Sequence, residues 1–184
     1  GPSASMVSFV NRISENFKNK TISTLAYQYT RQPSTVIPNQ NVLITLCSIE
    51  CDRRIPIDEG CKDFYDDLKG WSKLTDNIRI WDYTTQFTNF LAPFPNWNTI
   101  QPNINLFYEN NAKWIFQQHS RNPSELFELR SYVMAKLLWD PNLSFETLVK
   151  DFCEKYYGNA SEYIIRYVND ISNEIRKETD FFLF

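Results

Sequence analysis

The apolar residues of this chain fall into short blocks, and the spacing inside each block predicts an element. Val7 to Phe17 carries apolar positions at helical spacing. Thr21 to Ala26 is a β-branched run that ends in Tyr27, Gln28 and Tyr29. A Pro-punctuated loop, Gln32 to Pro38, leads to Val42 to Ile49, a continuous apolar run that stops at Glu50. A helix with Phe64, Leu68 and Trp71 on one side follows. Ile78 to Trp81 then reads as a short buried strand, ended by Asp82, Tyr83, Thr84 and Thr85. After a loop holding Pro93 and Pro95 come a helix, Ile104 to Asn110, and a fourth strand, Ala112 to Phe116, which ends in Gln117, Gln118 and His119. Strands alternating with helices predict a parallel α/β arrangement.

Beyond that point the period is helical throughout. Leu126, Leu129, Val133, Met134, Leu137 and Leu138 form one stripe over Ser124 to Trp139, with Ser124 as the expected N-cap and Asp140-Pro141 as the stop. Ser144 to Tyr157 starts on another Ser cap and ends at Gly158, a good residue for the position after a helix. Ala160 to Lys177 shows a stripe of Tyr163, Ile164, Tyr167, Val168, Ile171 and Ile175, which we assign to packing. These helices are expected to form a lid or buttress.

Composition narrows the partners. The chain has 184 residues, 42% hydrophobic, with a formal net charge of -3. Its Lys and Arg are scattered, so neither nucleic acid nor a membrane surface is an expected partner. No apolar run is long enough to span a bilayer. One His, His119, and four Cys at 47, 51, 61 and 153, with a C-x3-C spacing at the first two, do not supply a structural metal site, and no cofactor motif occurs. Cys47 reads as a small core residue. A Cys51 to Cys61 bridge is open to the chain if the protein is extracytoplasmic, and sequence does not establish it. Aromatics make up 16% of the chain, which suits both sugar stacking and core filling.

Ligands of parallel α/β sheets sit beyond the carboxyl ends of the strands. The candidate site residues are therefore Tyr27 and Tyr29 after the first strand, Glu50 after the second, Trp81, Asp82 and Tyr83 after the third, and Gln117 with Gln118 after the fourth. An indole face, a carboxylate, phenols and an amide suit a sugar. Glu50 and Asp82, on successive strands, are the two carboxylates that geometry allows to form a pair. Glu50 has a site role and a loop-tethering role open to it; His119 is open between loop and ligand. Adjacent side chains of a strand point to opposite faces, and Asp82 rather than Trp81 is expected at the site, binding hydroxyls, so that its loss would reduce binding and spare the fold. Asp58-Glu59 lies in a charged turn and reads as solvated surface.

Glu50 within TLCSIEC, the segment WDYTTQF…PFPN, the strand before Gln117, and AKLLWDPNLSFETLVKDFCEKYYGNA resemble the carboxyl-terminal half of the catalytic barrel of a bacterial glycosidase family. That family was long catalogued as a domain of unknown function, and some members are endo-β-N-acetylglucosaminidases acting on N-glycans; its barrel is distantly similar to those of β-hexosaminidases and α-glucuronidases. The resemblance covers about residues 8–175. It implies half of a (β/α)8 TIM barrel, about four parallel βα units in residues 6–123, followed by a helical extension in 124–184, with Gly1 to Ser5 reading as a tag remnant. It further implies hydrolysis of β-linked N-acetylhexosamine glycans without a cofactor, an oligosaccharide partner, and a periplasmic or cell-surface location. The acidic pair that carries catalysis in hexosaminidases has no match in this chain, so a non-catalytic carbohydrate-binding or structural module is the alternative. Four units of a closed barrel leave two open sheet edges, so the chain is expected to self-associate or recruit its missing half.

Overall fold

The computed structural model describes residues 1–87, 89–119, 124–180 and 182–183. The four strands β1 (Ile22–Ala26), β2 (Val42–Cys47), β3 (Ile78–Tyr83) and β4 (Ala112–Gln118) form one parallel sheet in the order β1-β2-β3-β4. The α-helices among the described residues are α1 (Pro2–Ser14), α2 (Ile57–Gly60), α3 (Lys62–Ser72), α4 (Trp97–Glu109), α5 (Phe127–Trp139), α6 (Phe145–Tyr156) and α7 (Ser161–Lys177). Sequential parallel strands with helical crossovers are half of a (β/α)8 barrel. The β1 to β2 connection is the exception, since it holds only a 3-10 turn, Gln28–Thr30, and the Pro-rich loop.

The chain divides into two compact units: residues 1–51, 61–83 and 106–118 in one, and 52–60, 84–105 and 119–184 in the other. The unit that holds the carboxyl-terminal helices also draws in two earlier segments; residue 123, where the sequence reading placed a boundary, lies outside the described residues. In the sheet unit, Val42, Ile44, Leu46, Ile78 and Ile80 are fully buried, as are Phe64, Leu68 and Trp71 of α3. Burying each such side chain contributes about 1.5–3 kcal/mol. Phe64 meets Phe107 edge to face, with centroids 6.4 Å apart. In the helical unit the core takes Leu129, Val133 and Leu137 from α5, Leu148, Val149 and Cys153 from α6, and Val168 from α7.

Several elements depart from their sequence pattern. α1 begins at Pro2, and Ser3 is buried with its hydroxyl donating to the Pro33 carbonyl, so residues 2–5 form the first turn of a helix. Pro at the start of a helix costs nothing because that N–H has no helical acceptor. α4 runs seven residues ahead of its apolar period and continues through Pro102. Ser124 does not cap α5: the N-cap is Leu126, in the left-handed region with φ 48° and no side-chain cap bond. Ser144 does cap α6, accepting from the Thr147 amide at 3.1 Å, a bond worth about 1 kcal/mol. Gly158 adopts φ +55° after α6. The α7 stripe is only partly covered, Val168 being buried while Tyr163 and Tyr167 are exposed.

Candidate functional site at the strand ends

Register fixes which side chains share a face. Thr45 pairs with Arg79, Cys47 with Trp81, Trp81 in turn with Phe116, and Tyr83 with Gln118, while Ile44 pairs with Ile78, Leu46 with Ile80, and Asp82 with Gln117. The second set, with Ser48 beyond β2, belongs to the buried face. The first set belongs to a face on which Leu25, Trp114 and Phe116 are 43%, 62% and 46% exposed. β3 alternates strictly between the two, which is why its run of Ile78 to Trp81 is buried on one side only.

Asp82 is therefore on the opposite side from the one its sequence position led us to expect. It is 3% exposed, and the Ser48 hydroxyl donates to its Oδ1 at 2.7 Å while Gln117 Nε2 donates to its Oδ2 at 3.4 Å. A carboxylate held this way ties the ends of β2, β3 and β4 together. Gln117, also buried, is its partner and not a group on the open face.

Trp81 is on the open face. Its Nε1 donates to Gln118 Oε1 at 2.8 Å, and its ring meets Phe116 edge to face at 5.0 Å. These two contacts fix the indole plane. Tyr83 follows on the same face, half-buried, and the Cys47 thiol donates to the Thr45 carbonyl at 3.9 Å. Burial, reinforced by the charge of Glu50, pushes that thiol up to about 11, so Cys47 stays protonated and acts as core. Toward the amino ends of the same face, Arg79 spans three strands, donating to Thr45 Oγ1 and Ser23 Oγ at 3.0 Å each.

Tyr27 precedes the 3-10 turn after β1 and Tyr29 lies within it. With Leu25, Ser23 and Met6 they line an open groove of about 760 Å³ along the β1 edge, a volume in the range of ligand clefts. Glu50 lies beyond the end of β2 in an exposed turn and accepts from Arg31 Nη1 at 3.0 Å. Arg31 Nε also binds Asp67 at 2.7 Å. The Arg31 pair holds Glu50 in place, and desolvation holds the Asp67 carboxyl above its usual range. Asp82 and Glu50 are thus bound to different partners, one buried and one at the surface.

His119, which follows β4, belongs to the helical unit and stacks on Phe127 with centroids 5.0 Å apart. Near it is a group that sequence reasoning passed over: Arg130, wholly buried in the apolar stripe of α5, donates to the Phe94 carbonyl at 2.9 Å and to Glu125 at 3.1 Å, and also to Asn96. Its guanidinium lies 3.9 Å from the Trp97 ring centroid. An Arg where the helical period calls for an apolar residue was the available signal. Cys51 and Cys61 form a disulfide. Among the described residues no group of His, Cys, Asp and Glu gathers that could hold a metal, and no helix is long and apolar enough to cross a membrane.

The family described as "Domain of unknown function (DUF4838)" matches residues 1–169. No curated protein and no solved structure matches the chain.

Proposed function

The chain belongs to the DUF4838 family, and from that premise we propose that it is the carboxyl-terminal half of a carbohydrate-active barrel that binds β-linked N-acetylhexosamine glycans at its strand ends. The observation that carries this reading is the indole of Trp81, held in one plane by Gln118 and Phe116 at the carboxyl end of a parallel strand, with Tyr83 beside it. A fixed, half-exposed aromatic face presents its π surface to the C–H face of a sugar, and phenols and amides around it exchange hydrogen bonds with hydroxyls. Tyr27 and Tyr29 in their groove extend that surface. The disulfide supports an extracytoplasmic location, because such bonds persist in oxidising compartments.

Within this chain the reading is binding rather than catalysis. Glycoside hydrolysis commonly uses two carboxyl groups facing one bond, and here Asp82 is buried under Ser48 and Gln117 while Glu50 is paired with Arg31. The parent reaction would be hydrolysis completed by acidic groups outside this chain. The purified chain is expected to bind a chitooligosaccharide, to lose roughly tenfold in affinity on Trp81→Ala, and to leave an aryl N-acetyl-β-glucosaminide intact. Turnover that disappears in Glu50→Gln would overturn the binding-only assignment; affinity unchanged in Trp81→Ala would remove the strand-end site.

A further inference from the structure

β1 is an edge strand, and its backbone bonding alternates from side to side. The Ile22 N–H donates to the Asn41 carbonyl at 2.8 Å, toward β2, which turns the N–H groups of Ser23 and Leu25 to the free side. The groove of about 760 Å³ runs along this edge, lined by Ser5 and Met6 of α1 together with Ser23, Thr24 and Leu25. An extended segment is the shape that uses both features, because its backbone pairs with the edge while its alternate side chains enter the groove. Tyr27 and Tyr29 follow the strand, past the stretch with which such a segment would pair.

A cation beside the groove selects the charge of the segment. Arg79 is rooted in β3, yet its Nε donates to Thr45 Oγ1 on β2 and its Nη2 to Ser23 Oγ on β1, at 3.0 Å each. The guanidinium thus crosses β2 and ends on Ser23, a residue of the groove. It meets hydroxyls only: among the described residues no carboxylate pairs with it, and its Nη1 has no partner. The groove lining holds no charged side chain of its own. A strand added to β1 would place every second side chain on the face of Ser23 and take water away from the guanidinium. Covering a cation is strongly unfavourable unless an opposite charge meets it. The β4 edge of a second copy would bring Trp114, Phe116 and Gln118 to that face, and none of these is a carboxylate.

We infer that the β1 edge takes up an extended partner segment as an added strand, one that presents a carboxylate side chain to Arg79. This rests on the half-barrel reading, in which a further strand lies on this edge, and not on the sugar; chitooligosaccharide binding can fail while the segment binds, and the reverse. The test is a titration of the chain, at a concentration where sedimentation shows a monomer, with a synthetic peptide alternating valine with glutamate. The control is the same peptide with lysine in place of glutamate. The glutamate peptide is expected to bind at least roughly tenfold more tightly. The net charge of -3 on the chain would by itself favour the lysine peptide, so a glutamate preference reports the local cation. Arg79→Met should erase the preference and Arg79→Lys should keep it, with melting temperatures showing that both variants are folded. Raising the salt concentration should shrink the preference of the unaltered chain, a readout that needs no variant. Equal binding of the two peptides, binding of neither, or a preference that survives Arg79→Met would overturn the assignment. So would peptide binding that disappears as the chain self-associates without any charge preference, which would give the edge to a second copy.

Discussion

At the scale of single residues, one peptide bond separates a surface role from a core role. Trp81 and Asp82 are adjacent, and the pleat sends the indole to the exposed face and the carboxylate to the buried one. Sequence placed a polar cluster at this strand end and expected Asp82 to face outward, whereas the pleat turns it to the buried face, because the facing of a strand is set by what covers each side. The consequence for Asp82→Ala is reversed accordingly. Removing it leaves Ser48 and Gln117 without their shared acceptor in a buried environment, so stability should fall by about 2–3 kcal/mol, the worth of hydrogen bonds to a charged group. Thermal melts should show a drop of roughly 5–10 °C for a chain of this size. A melting temperature equal to that of the unaltered chain would mean that the Asp82 contacts contribute nothing net. The same logic explains why Arg130 escaped notice: a charged residue inside an apolar stripe looks like a flaw in the pattern until its Trp, Glu and carbonyl partners, all distant or off the helical period, are brought to it.

At the scale of elements, the chain is punctuated by local chemistry where it can be and by tertiary links where it cannot. Ser144 and Gly158 delimit α6 by means that act within a turn of helix, and both were readable. The segment from Cys51 to Cys61 has only the four-residue α2 between its ends, too short to hold itself by helical hydrogen bonding. The disulfide takes over that task by closing a loop with a sequence separation of 10. Closing a loop of this length is worth about 2.7 kcal/mol through the lost freedom of the unfolded chain. Dithiothreitol should therefore lower the denaturation midpoint of the native chain, and a Cys51→Ala, Cys61→Ala double variant should match the reduced protein and ignore the reductant. Cys47 and Cys153, buried and free, should resist alkylation until the chain unfolds.

At the scale of the whole molecule, the open sheet face governs behaviour in solution. β1 and β4 are the two edges of the sheet, and Leu25, Trp114 and Phe116 expose apolar surface beside them. Unpaired strand edges and uncovered apolar faces drive association. The chain alone is expected to dimerise or oligomerise with rising concentration, and sedimentation velocity should show this; Trp114→Lys with Phe116→Glu should shift the distribution toward monomer. A single monomeric species at high concentration would show that the face is protected without a partner. In a complete barrel the same face would be filled by inward side chains of further strands, so this association need not occur there.

The hydrophobic pattern alone determined the parallel α/β class, the order of strands and helices, and the residues that end each strand, because burial period and turn chemistry are local properties. The family resemblance, not the pattern, gave the half-barrel expectation, which the sheet order matches. The pattern did not determine the facing of Trp81 against Asp82, the Arg31 tether on Glu50, the pairing of Cys51 with Cys61, or the partners gathered around Arg130. These depend on groups that no single element contains, 10 residues apart for Cys51 and Cys61, 34 for Ser48 and Asp82 and 36 for Phe94 and Arg130. Such contacts form only when the chain pays the entropy of closing long loops, and what repays it is the collective burial of the core, which no local window of sequence contains.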